Sequence, residues 1–480
     1  MTFIAREAEL KTLNDEYNKP YSSFSTVYGR RRIGKTELID HFIGQQNCVS
    51  FSVTGAYEAK LSSHLENFAN KLSLSFGGNY YFTNWNEAFN ALVKNIKKHP
   101  TACGKTIIFI DEMPWLAEMR NNGFKSALSL FWNDFASKRT DIFLIVCGSA
   151  TSWIIEHVLE DTGALSNRVT CKIHLNAFNL KESKVYLDSL GHKGLSDKAV
   201  IDYFMALGGV AHYLKTLDPI KSFVQNMEQV FFSRNGLLRT ELNSLFRSLF
   251  KKHETHEIII KHLSETWSGF SLSDLAKKRG LQKGKSLSNA LTELEESGFI
   301  VKRFKYGQTT RDALYSLCDP FIYFYTKWVS GTSLVSLNQN KGFFSRVFKS
   351  QPYRIWCGYA FENICHQHII EIKEALGIRN VFTTNHYWKT SKTTKKGAQI
   401  DILLVRDDDV VDIIECKFYN TEFSIDKSYA SNLQNKEIEF VEETGYKGST
   451  RIILMSINGV EKNNYYNDIV TTDFTVDILF

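Results

Sequence analysis

The sequence predicts an α/β protein that begins with a parallel sheet wrapped by helices and continues into smaller units of mixed helices and strands. Two changes of pattern along the chain predict this organisation. Short apolar runs alternate with helical stretches from Ser25 to Leu175, which is typical of a parallel sheet. The pattern is then helical from Leu180 to about His253, and short helices and strands alternate after residue 256.

One loop in the predicted sheet carries a complete G-x-x-x-x-G-K-[ST] motif, directly after the strand-like run 25–28. The two glycines let backbone N–H groups point at a polyphosphate, and the helix that follows adds its positive end. Lys35 is expected to reach the β- and γ-phosphates, and the Thr36 hydroxyl to ligate Mg²⁺. The alternative is a glycine-containing loop that matches this motif by chance. The expected nucleotide-binding residues are Gly29, Arg30, Arg31, Arg32, Ile33, Gly34, Lys35 and Thr36.

A second apolar run, residues 106–110, ends in Asp111 and Glu112, which is a Walker B pattern. Carboxylates at the end of a buried parallel strand emerge where such sheets bind ligands. Asp111 is expected to hold Mg²⁺ and Glu112 to orient and deprotonate the attacking water. The alternative is an Asp-Glu helix cap.

Two further side chains follow later strands. Ser149 comes directly after the strand-like run 142–147 and is predicted to contact the γ-phosphate, although Gly-Ser is also ordinary turn chemistry. Arg168 lies in a polar loop and is predicted to supply positive charge to a phosphate, with a solvated arginine as the alternative.

The composition limits the class of protein. The chain has 480 residues, 43% hydrophobic and 23% charged, with a net charge of +6 and eight scattered cysteines. These values predict a globular protein with reduced cysteines, and the mild basicity is compatible with nucleic-acid binding. No apolar run approaches the roughly 18 residues of a membrane span, and the N-terminal residues have no signal-peptide core. We therefore expect a cytoplasmic protein without a membrane partner.

The middle of the chain predicts a helical lid and a winged helix-turn-helix. Two glycines, Gly208 and Gly209, interrupt the helical region and indicate either a hinge or a plain turn. Three helical stretches and then two strand-like runs follow over 256–318. Residues 271–305 hold eight Lys and Arg against four acidic residues, which favours a nucleic-acid face; a protein-docking module is the alternative.

Near the C-terminus, two strand-like runs flank Asp407, Asp408 and Asp409 and predict a hairpin. A three-residue loop places Asp401 opposite Glu415, where two like charges are destabilising unless a positive group lies between them. A divalent cation is the predicted group, with Lys417 on the same strand face as Glu415. The alternative is a solvated hairpin with surface charges. The preceding lysines, expected to meet a phosphate backbone, are Lys389, Lys392, Lys395 and Lys396.

Taken together, these motifs resemble the prokaryotic AAA-type, archaeal-ATPase-like P-loop ATPases with a winged helix and a C-terminal restriction-endonuclease-like PD-(D/E)xK domain. The resemblance rests on both nucleotide motifs, Cys147-Gly148-Ser149, the stretch 208–214, the winged helix and the tail motif Asp401…Glu415-Cys416-Lys417. One difference stands at the start, where relatives carry Phe-x-Gly-Arg-Glu and this chain has Ala5 in place of the glycine.

The resemblance implies the fold: a P-loop NTPase sheet with helical lid over 1–250, a winged helix over 251–335 and a nuclease-like α/β domain over 345–480. It implies ATP and Mg²⁺ as cofactors, with Mn²⁺ as an alternative at the nuclease-like site. It adds Glu362, from a helix, to Asp401 and Glu415 as a metal ligand. Nucleic acid, with DNA favoured, is the implied partner, and a homo-oligomer is compatible with the family.

Two functional hypotheses follow. The first is an ATP-driven enzyme that acts on nucleic acid and carries a metal-dependent nuclease, with Glu112, Lys417 and Arg168 as catalytic residues. The second is a signalling ATPase whose nuclease-like tail only binds. The intact carboxylates of the tail favour the first hypothesis.

Overall fold

The computed structural model describes residues 3–102, 104–118, 122–160, 163, 165, 167–250, 252–307, 313–333, 335, 337, 341–390 and 397–480. The chain divides into two compact units, 1–177 and 178–480. The division into three domains inferred from the sequence stays a prediction.

The first unit contains a parallel sheet with the strand order β2-β3-β4-β1-β5. Its strands are β1 Ser23–Tyr28, β2 Ser50–Thr54, β3 Thr106–Asp111, β4 Ile142–Gly148 and β5 Cys171–His174. Its α-helices are α1 Glu7–Tyr17, α2 Lys35–Gly44, α3 Leu61–Phe76, α4 Trp85–Lys98, α5 Met113–Ala117, α6 Phe124–Leu130 and α7 Thr151–Ile154. Segments Phe131–Phe135 and Ile155–Leu159 are π-helical, and Ala136–Lys138 is a 3₁₀ turn.

Apolar side chains explain this arrangement. Every residue of β3 and β4 is buried, as expected for central strands covered by helices on both faces. An apolar stripe that runs along α6 and the following π-helical segment is buried as well, and its members are Phe124, Leu128, Phe131 and Phe135. Because β1 pairs with both β4 and β5, the loop after β1 lies beside the end of β4. The predicted parallel sheet is therefore confirmed.

The second unit begins with helices. These are α8 Leu180–Ser189, α9 Asp197–Leu207, α10 Ala211–Leu214, α11 Phe223–Met227 and α12 Glu241–Leu249, with a π-helical segment Glu228–Phe232. Gly209 has φ +63°, and a Cβ there would lie 2.0 Å from the carbonyl oxygen of Phe178. The backbone N–H of Phe178 also donates to Gly209 O at 2.9 Å, so this glycine makes a close turn between helices.

The helices and hairpin predicted for a winged helix-turn-helix follow. They are α13 His253–Leu263, α14 Leu272–Leu275, α15 Lys285–Glu296, β6 Phe270–Ser271, β7 Ile300–Arg303 and β8 Leu314–Leu317. The three strands form a sheet with the order β6-β8-β7. An aromatic helix follows as α16 Pro320–Phe324 and a π-helical segment Tyr325–Val329. Phe324 packs against Phe231 and Trp356, which ties α16 to the neighbouring helices.

The C-terminal part is a mixed sheet with the order β13-β12-β11-β10-β9. Its strands are β9 Thr383–Lys389, β10 Gln399–Arg406, β11 Val410–Lys417, β12 Ser449–Ser456 and β13 Thr472–Thr475. Strands β9, β10 and β11 are antiparallel, whereas β11, β12 and β13 run parallel. The helices are α17 Phe343–Lys349, α18 Gln351–Gln367, α19 Ile369–Ala375, α20 Lys427–Thr444 and α21 Asn464–Ile469, with a 3₁₀ turn Val476–Leu479. Within the described residues, no helix combines the length and apolar character needed to cross a membrane.

Candidate functional site

The loop after β1 has the geometry of a phosphate-binding loop. It leaves the sheet at Gly29, where a Cβ would lie 2.2 Å from the carbonyl oxygen of Leu175 on the neighbouring chain segment. Only glycine fits such a close approach. The loop ends where α2 begins at Lys35, so the first N–H groups of that helix face the loop.

Lys35 is buried and lies over its own loop. Its Nζ donates to Gly29 O at 2.9 Å, to Arg30 O at 2.7 Å and to Ser149 Oγ at 3.0 Å. Burial lowers the pKa of this ammonium group. The lysine of the loop and the serine at the end of β4, selected separately from the sequence, are therefore in direct contact.

Thr36 and Asp111 are also in contact. The Thr36 hydroxyl donates to Asp111 Oδ2 at 3.0 Å, and Asp111 Oδ1 accepts the N–H of Glu112 at 2.9 Å. Burial, and then the neighbouring Glu112 charge, raise the pKa of Asp111. A hydroxyl and a carboxylate at this separation are the oxygen donors that Mg²⁺ prefers, so the residues present fit this ion.

Glu112 has a left-handed backbone with φ 46° and ψ 46°. Its Oε1 accepts from Ser149 Oγ at 2.6 Å and its Oε2 accepts from Ser149 N at 3.1 Å. A non-glycine residue in this region of conformational space is uncommon, and strain of this kind is concentrated at functional sites. The sequence selected both residues but did not predict that they bind each other.

The other residues selected in this unit lie around the same loop. Arg30 and Ile33 are buried, whereas Arg31 is exposed. Arg6 supports the loop from outside, since its guanidinium donates to Ile33 O at 3.4 Å and to Asn176 O at 2.7 Å. Ala5, which stands where the resembling family carries glycine, has φ 61°.

Arg168 is exposed in the loop that precedes β5. Its backbone N–H donates to Leu165 O at 3.2 Å. Among the residues that the structure describes, no side-chain hydrogen bond or ion pair holds its guanidinium. Its role in catalysis stays a prediction.

In the second unit, the predicted hairpin register is confirmed. Ile402 pairs with Ile414 and Val405 with Val411, and one further step of this register places Asp401 opposite Glu415. The loop is 407–409, and Asp409 adopts φ 60°, the left-handed conformation that closes three-residue hairpin loops.

The Glu415 carboxylate is fully buried and has three partners. Its Oε1 accepts from Lys436 Nζ at 2.6 Å, and its Oε2 accepts from the Tyr429 hydroxyl at 3.2 Å and from Lys417 Nζ at 3.5 Å. Burial lowers the pKa of Lys417, but the charges of Glu415 and Asp401 outweigh it, so the net pKa is raised. The positive charge that two opposed carboxylates need is thus supplied by lysines in this structure.

Asp401 and Glu362 complete the acidic group. Asp401 Oδ2 accepts the N–H of Cys416 at 3.0 Å, and burial, with the charge of Glu415, raises the pKa of Asp401 to about 6. Glu362 lies on α18, and burial, followed by the charge of Asp401, raises its pKa to about 8. A guanidinium nitrogen of Arg303, the last residue of β7, lies 3.9 Å from Glu362 Oε1. Buried like charges of this kind favour a bound cation or a proton.

The predicted metal ligands Glu362, Asp401 and Glu415 stay a prediction. Across the part of the chain that the structure describes, no group of three or more His, Cys, Asp or Glu side chains is arranged to hold a metal ion. At this site, Glu415 Oε1 instead accepts a hydrogen bond from Lys436 Nζ. Lys389 is exposed at the end of β9, and the other three lysines selected with it lie outside the described residues.

Sequence reasoning missed four residues of this site: Arg303, His366, Tyr429 and Lys436. His366 Nε2 lies 3.2 Å from the carbonyl oxygen of Asp401, and burial holds its pKa well below the usual value. A signal existed for two of the four residues. Tyr429 and Lys436 are seven residues apart on α20, which is two helical turns and therefore one face.

The parallel sheet, the phosphate loop after β1 and the carboxylates at the end of β3 define the first unit as a P-loop ATPase domain. Residues 3–217 match the family described as an ATPase domain predominantly from Archaea. Residues 327–438 match the DUF234 family, described as archaeal and bacterial proteins of unknown function.

Three further proteins are similar to this chain. The uncharacterized protein MJECL04 of Methanocaldococcus jannaschii is 25% identical over 411 residues, 85% of each chain. The Walker-type ATPase PABY2304 of Pyrococcus abyssi has 18% identity and a TM-score of 0.50, over 68% of this chain and 96% of that one. The ORC2 protein of Aeropyrum pernix, solved as ADPNP-ADP complexes, has 13% identity and a TM-score of 0.43, over 72% of this chain and 95% of that one. The Pyrococcus similarity supports the ATPase fold alone.

Proposed function

We propose that the protein hydrolyses ATP while acting on nucleic acid, with DNA as the favoured form, and that its C-terminal part is a divalent-metal-dependent nuclease. One observation carries the nuclease half of this proposal. Ile402 pairs with Ile414, and the next step of this register places Asp401 opposite Glu415, with Lys417 on the same strand face as Glu415. A carboxylate pair beside an ammonium group can bind a cation and a phosphate together.

The ATPase half rests on the contacts of the phosphate loop. Lys35 offers its ammonium group to the β- and γ-phosphates, and Thr36 with Asp111 would hold Mg²⁺. The ion, when bound, neutralises phosphate charge. Glu112 takes the proton of the attacking water, and Ser149 contacts the γ-phosphate. Substitution of Lys35 by alanine is expected to abolish ATP binding, and Lys172→Ala, an exposed lysine on β5, is the control. Equal ATP affinity in wild type and Lys35→Ala would contradict the assignment.

The side chains proposed as metal ligands are of the chemical type that a hard divalent cation prefers. Glu362, Asp401 and Glu415 offer carboxylate oxygens, which are the ligands that Mg²⁺ and Mn²⁺ prefer. Such an ion would supply charge to a phosphodiester and relieve the repulsion between the carboxylates. Because Glu415 accepts a hydrogen bond from Lys436, the ion and this lysine would compete for the Glu415 carboxylate. Lys417 stays beside Glu415, where it can steady a water or the developing phosphate charge.

Charge on the winged helix supports a nucleic-acid partner. Lys277, Lys278 and Lys302 are each paired with an acidic residue. Arg279, Lys283 and Lys285, in contrast, are exposed near the beginning of α15. A helix N-terminus that carries exposed cations attracts phosphate groups.

A plasmid-cleavage assay tests the nuclease. Full-length protein is expected to cut supercoiled DNA with Mg²⁺ or Mn²⁺ and to lose this activity in EDTA. Asp401→Ala, Glu415→Ala and Lys417→Ala should remove cleavage, whereas Lys427→Ala, at the exposed beginning of α20, should retain it. Equal cleavage by these three variants and by wild type would contradict the proposal.

One observation favours the second hypothesis, an ATPase switch with a tail that binds without cutting. The Glu415 carboxylate accepts hydrogen bonds from Lys436, Tyr429 and Lys417, so its charge and both of its oxygens have partners without a metal ion. Nucleic-acid binding without cleavage at any divalent-metal concentration would support this alternative over the nuclease.

A further inference from the structure

The winged helix and the C-terminal sheet are joined by backbone hydrogen bonds. The chain that leaves β7 runs along the edge strand β9, where Tyr387 N donates to Phe304 O at 3.1 Å and Tyr306 N donates to Tyr387 O at 3.3 Å. The Tyr306 ring packs against Phe440 of α20, with ring centroids 5.4 Å apart. Lys305 forms an ion pair with Glu443 at 3.3 Å. One strand of the wing is therefore held against the nuclease-like sheet.

A cavity of about 270 Å³ lies along this junction. The winged helix contributes Trp267, Arg303 and Lys305 to its lining, and the C-terminal part contributes Tyr359, Glu362 and Asp401. Its volume is near the lower end of the roughly 300–1,000 Å³ typical of small-molecule sites. Two of the carboxylates in the proposed nuclease site therefore open into a space that the wing helps to enclose.

The lining of this cavity combines three kinds of group. Arg303 and Lys305 bring positive charge from the wing, and Lys389, exposed at the end of β9, adds a third cation. Trp267 and Tyr359 form an aromatic wall in which their nearly parallel rings stack on each other, 4.4 Å apart, and Trp267 also stacks on Tyr323 at 5.3 Å, so the wall offers a base the ring edges and the outer face of Tyr359. Glu362 and Asp401 add the carboxylates. Cations beside aromatic rings are the combination that proteins use for the phosphate and the base of unpaired nucleotides.

We infer that this cavity receives one unpaired nucleotide of a single-stranded nucleic acid, with its phosphate near the wing cations and its base against the aromatic wall. The inference rests on the proposed nuclease function, because it places the reacting strand beside Asp401 and Glu362. A base pair does not fit a space of this volume, so a paired duplex has to fray or open before its strand can enter. The site therefore selects single strands or frayed ends.

Binding measured in EDTA tests the cavity without cleavage. Full-length protein is titrated with a fluorescein-labelled thymidine oligonucleotide, and with the same oligonucleotide annealed to its complement, by fluorescence anisotropy. Two variants alter the cavity: Lys389→Glu reverses a charge, and Gln399→Trp fills the space from β10, where Gln399 lines it. Matched controls are Lys447→Glu, an exposed lysine after α20, and Thr384→Trp, an exposed position on β9.

We expect both cavity variants to bind the single strand at least about tenfold more weakly. For Lys389→Glu, the slope of log affinity against log salt concentration should also fall by the amount that corresponds to about one phosphate contact. The controls and Lys389→Arg should bind as wild type does. If both cavity variants bind the single strand like wild type, or lose duplex affinity equally, the inference is wrong even when plasmid cleavage is intact. Conversely, if binding depends on the cavity but no metal-dependent cleavage is found, the nuclease proposal is wrong and the single-strand binding site is still supported.

Discussion

Glu112 holds Ser149 with both of its carboxylate oxygens, at 2.6 Å to the serine Oγ and 3.1 Å to its N–H. Ser149 Oγ also accepts from Lys35 Nζ at 3.0 Å, so one hydroxyl links the proposed base to the phosphate-loop lysine. Each oxygen of Glu112 keeps a second lone pair for a proton from water, and loss of a bond to Ser149 would make the carboxylate a stronger base. A γ-phosphate that draws Ser149 and Lys35 toward itself would release the carboxylate at the moment when it is needed.

Substitution of Glu112 by glutamine tests this role. Glutamine keeps the size of the side chain and an oxygen that accepts a hydrogen bond, but it cannot take a proton. We expect ATP affinity close to that of wild type and a turnover rate at least about a hundredfold lower, which is the usual contribution of a general base. Nucleotide titration and phosphate-release assays measure the two quantities. Turnover equal to wild type would show that another group accepts the proton.

Arg168 tests whether catalysis depends on assembly. Its guanidinium is exposed and is therefore available to a phosphate on a neighbouring subunit or on its own subunit. An arginine that stabilises the transition state is worth about 10³–10⁵ in rate, so Arg168→Ala should lower turnover by at least about a thousandfold at saturating ATP. Lys172→Ala on β5 is the matched control. Unchanged turnover at every protein concentration would exclude this role for Arg168.

Lys436 is predicted to compete with a divalent cation at Glu415. Lys436→Met leaves a fully buried carboxylate with one cationic partner fewer, a change that typically costs about 3–5 kcal/mol of stability. We therefore expect a lower melting temperature in EDTA, and a larger increase on addition of Mn²⁺ than in wild type. Thermal unfolding without nucleotide measures both effects, with Lys427→Met as the control. A melting temperature that does not respond to Mn²⁺ in Lys436→Met would contradict a cation site at Glu415.

The burial of His64 leads to a prediction of how the stability of the protein depends on pH. It is buried on α3, and burial lowers its pKa below 6.5, so the unfolded chain takes up a proton before the folded chain does. The stability that His64 contributes is complete above pH 6.5 and is lost as the pH falls through its lowered folded-state pKa. His64→Gln should reduce the slope of unfolding free energy against pH in this window by up to about 1.4 kcal/mol per unit. Urea titrations at several pH values measure the slope, and an unchanged slope would show that His64 does not titrate there.

The elements that the sequence predicted well are those whose signal is local. Adjacent residues define the phosphate loop, and the buried run before Asp111 identifies a central strand. The register of Asp401 and Glu415 followed from the length of one loop, because strand pairing propagates from the turn. Each of these inferences needed only residues that are close in the chain or joined by a short connection.

The contacts that the sequence did not predict come from distant elements. Arg303 reaches Glu362 from β7, and Lys436 reaches Glu415 from a helix that follows the hairpin. Their side chains have no motif, and their positions depend on how helices and sheets pack. The contact between Lys436 and Glu415 therefore did not follow from the strand register, and the metal ion expected beside the carboxylates stays a prediction.

The segment after β7 that pairs with β9 has a consequence for work with fragments of the protein. Strand β9 is the edge of its sheet, and an uncovered edge is a template for pairing with other chains. A fragment that begins at residue 345 would lack Phe304 and Tyr306, leaving the backbone groups of Tyr387 unpaired and a face of Phe440 uncovered. Such a fragment would tend to self-associate through this edge. A fragment that also includes Phe304 and Tyr306 would keep the edge covered and would aggregate less.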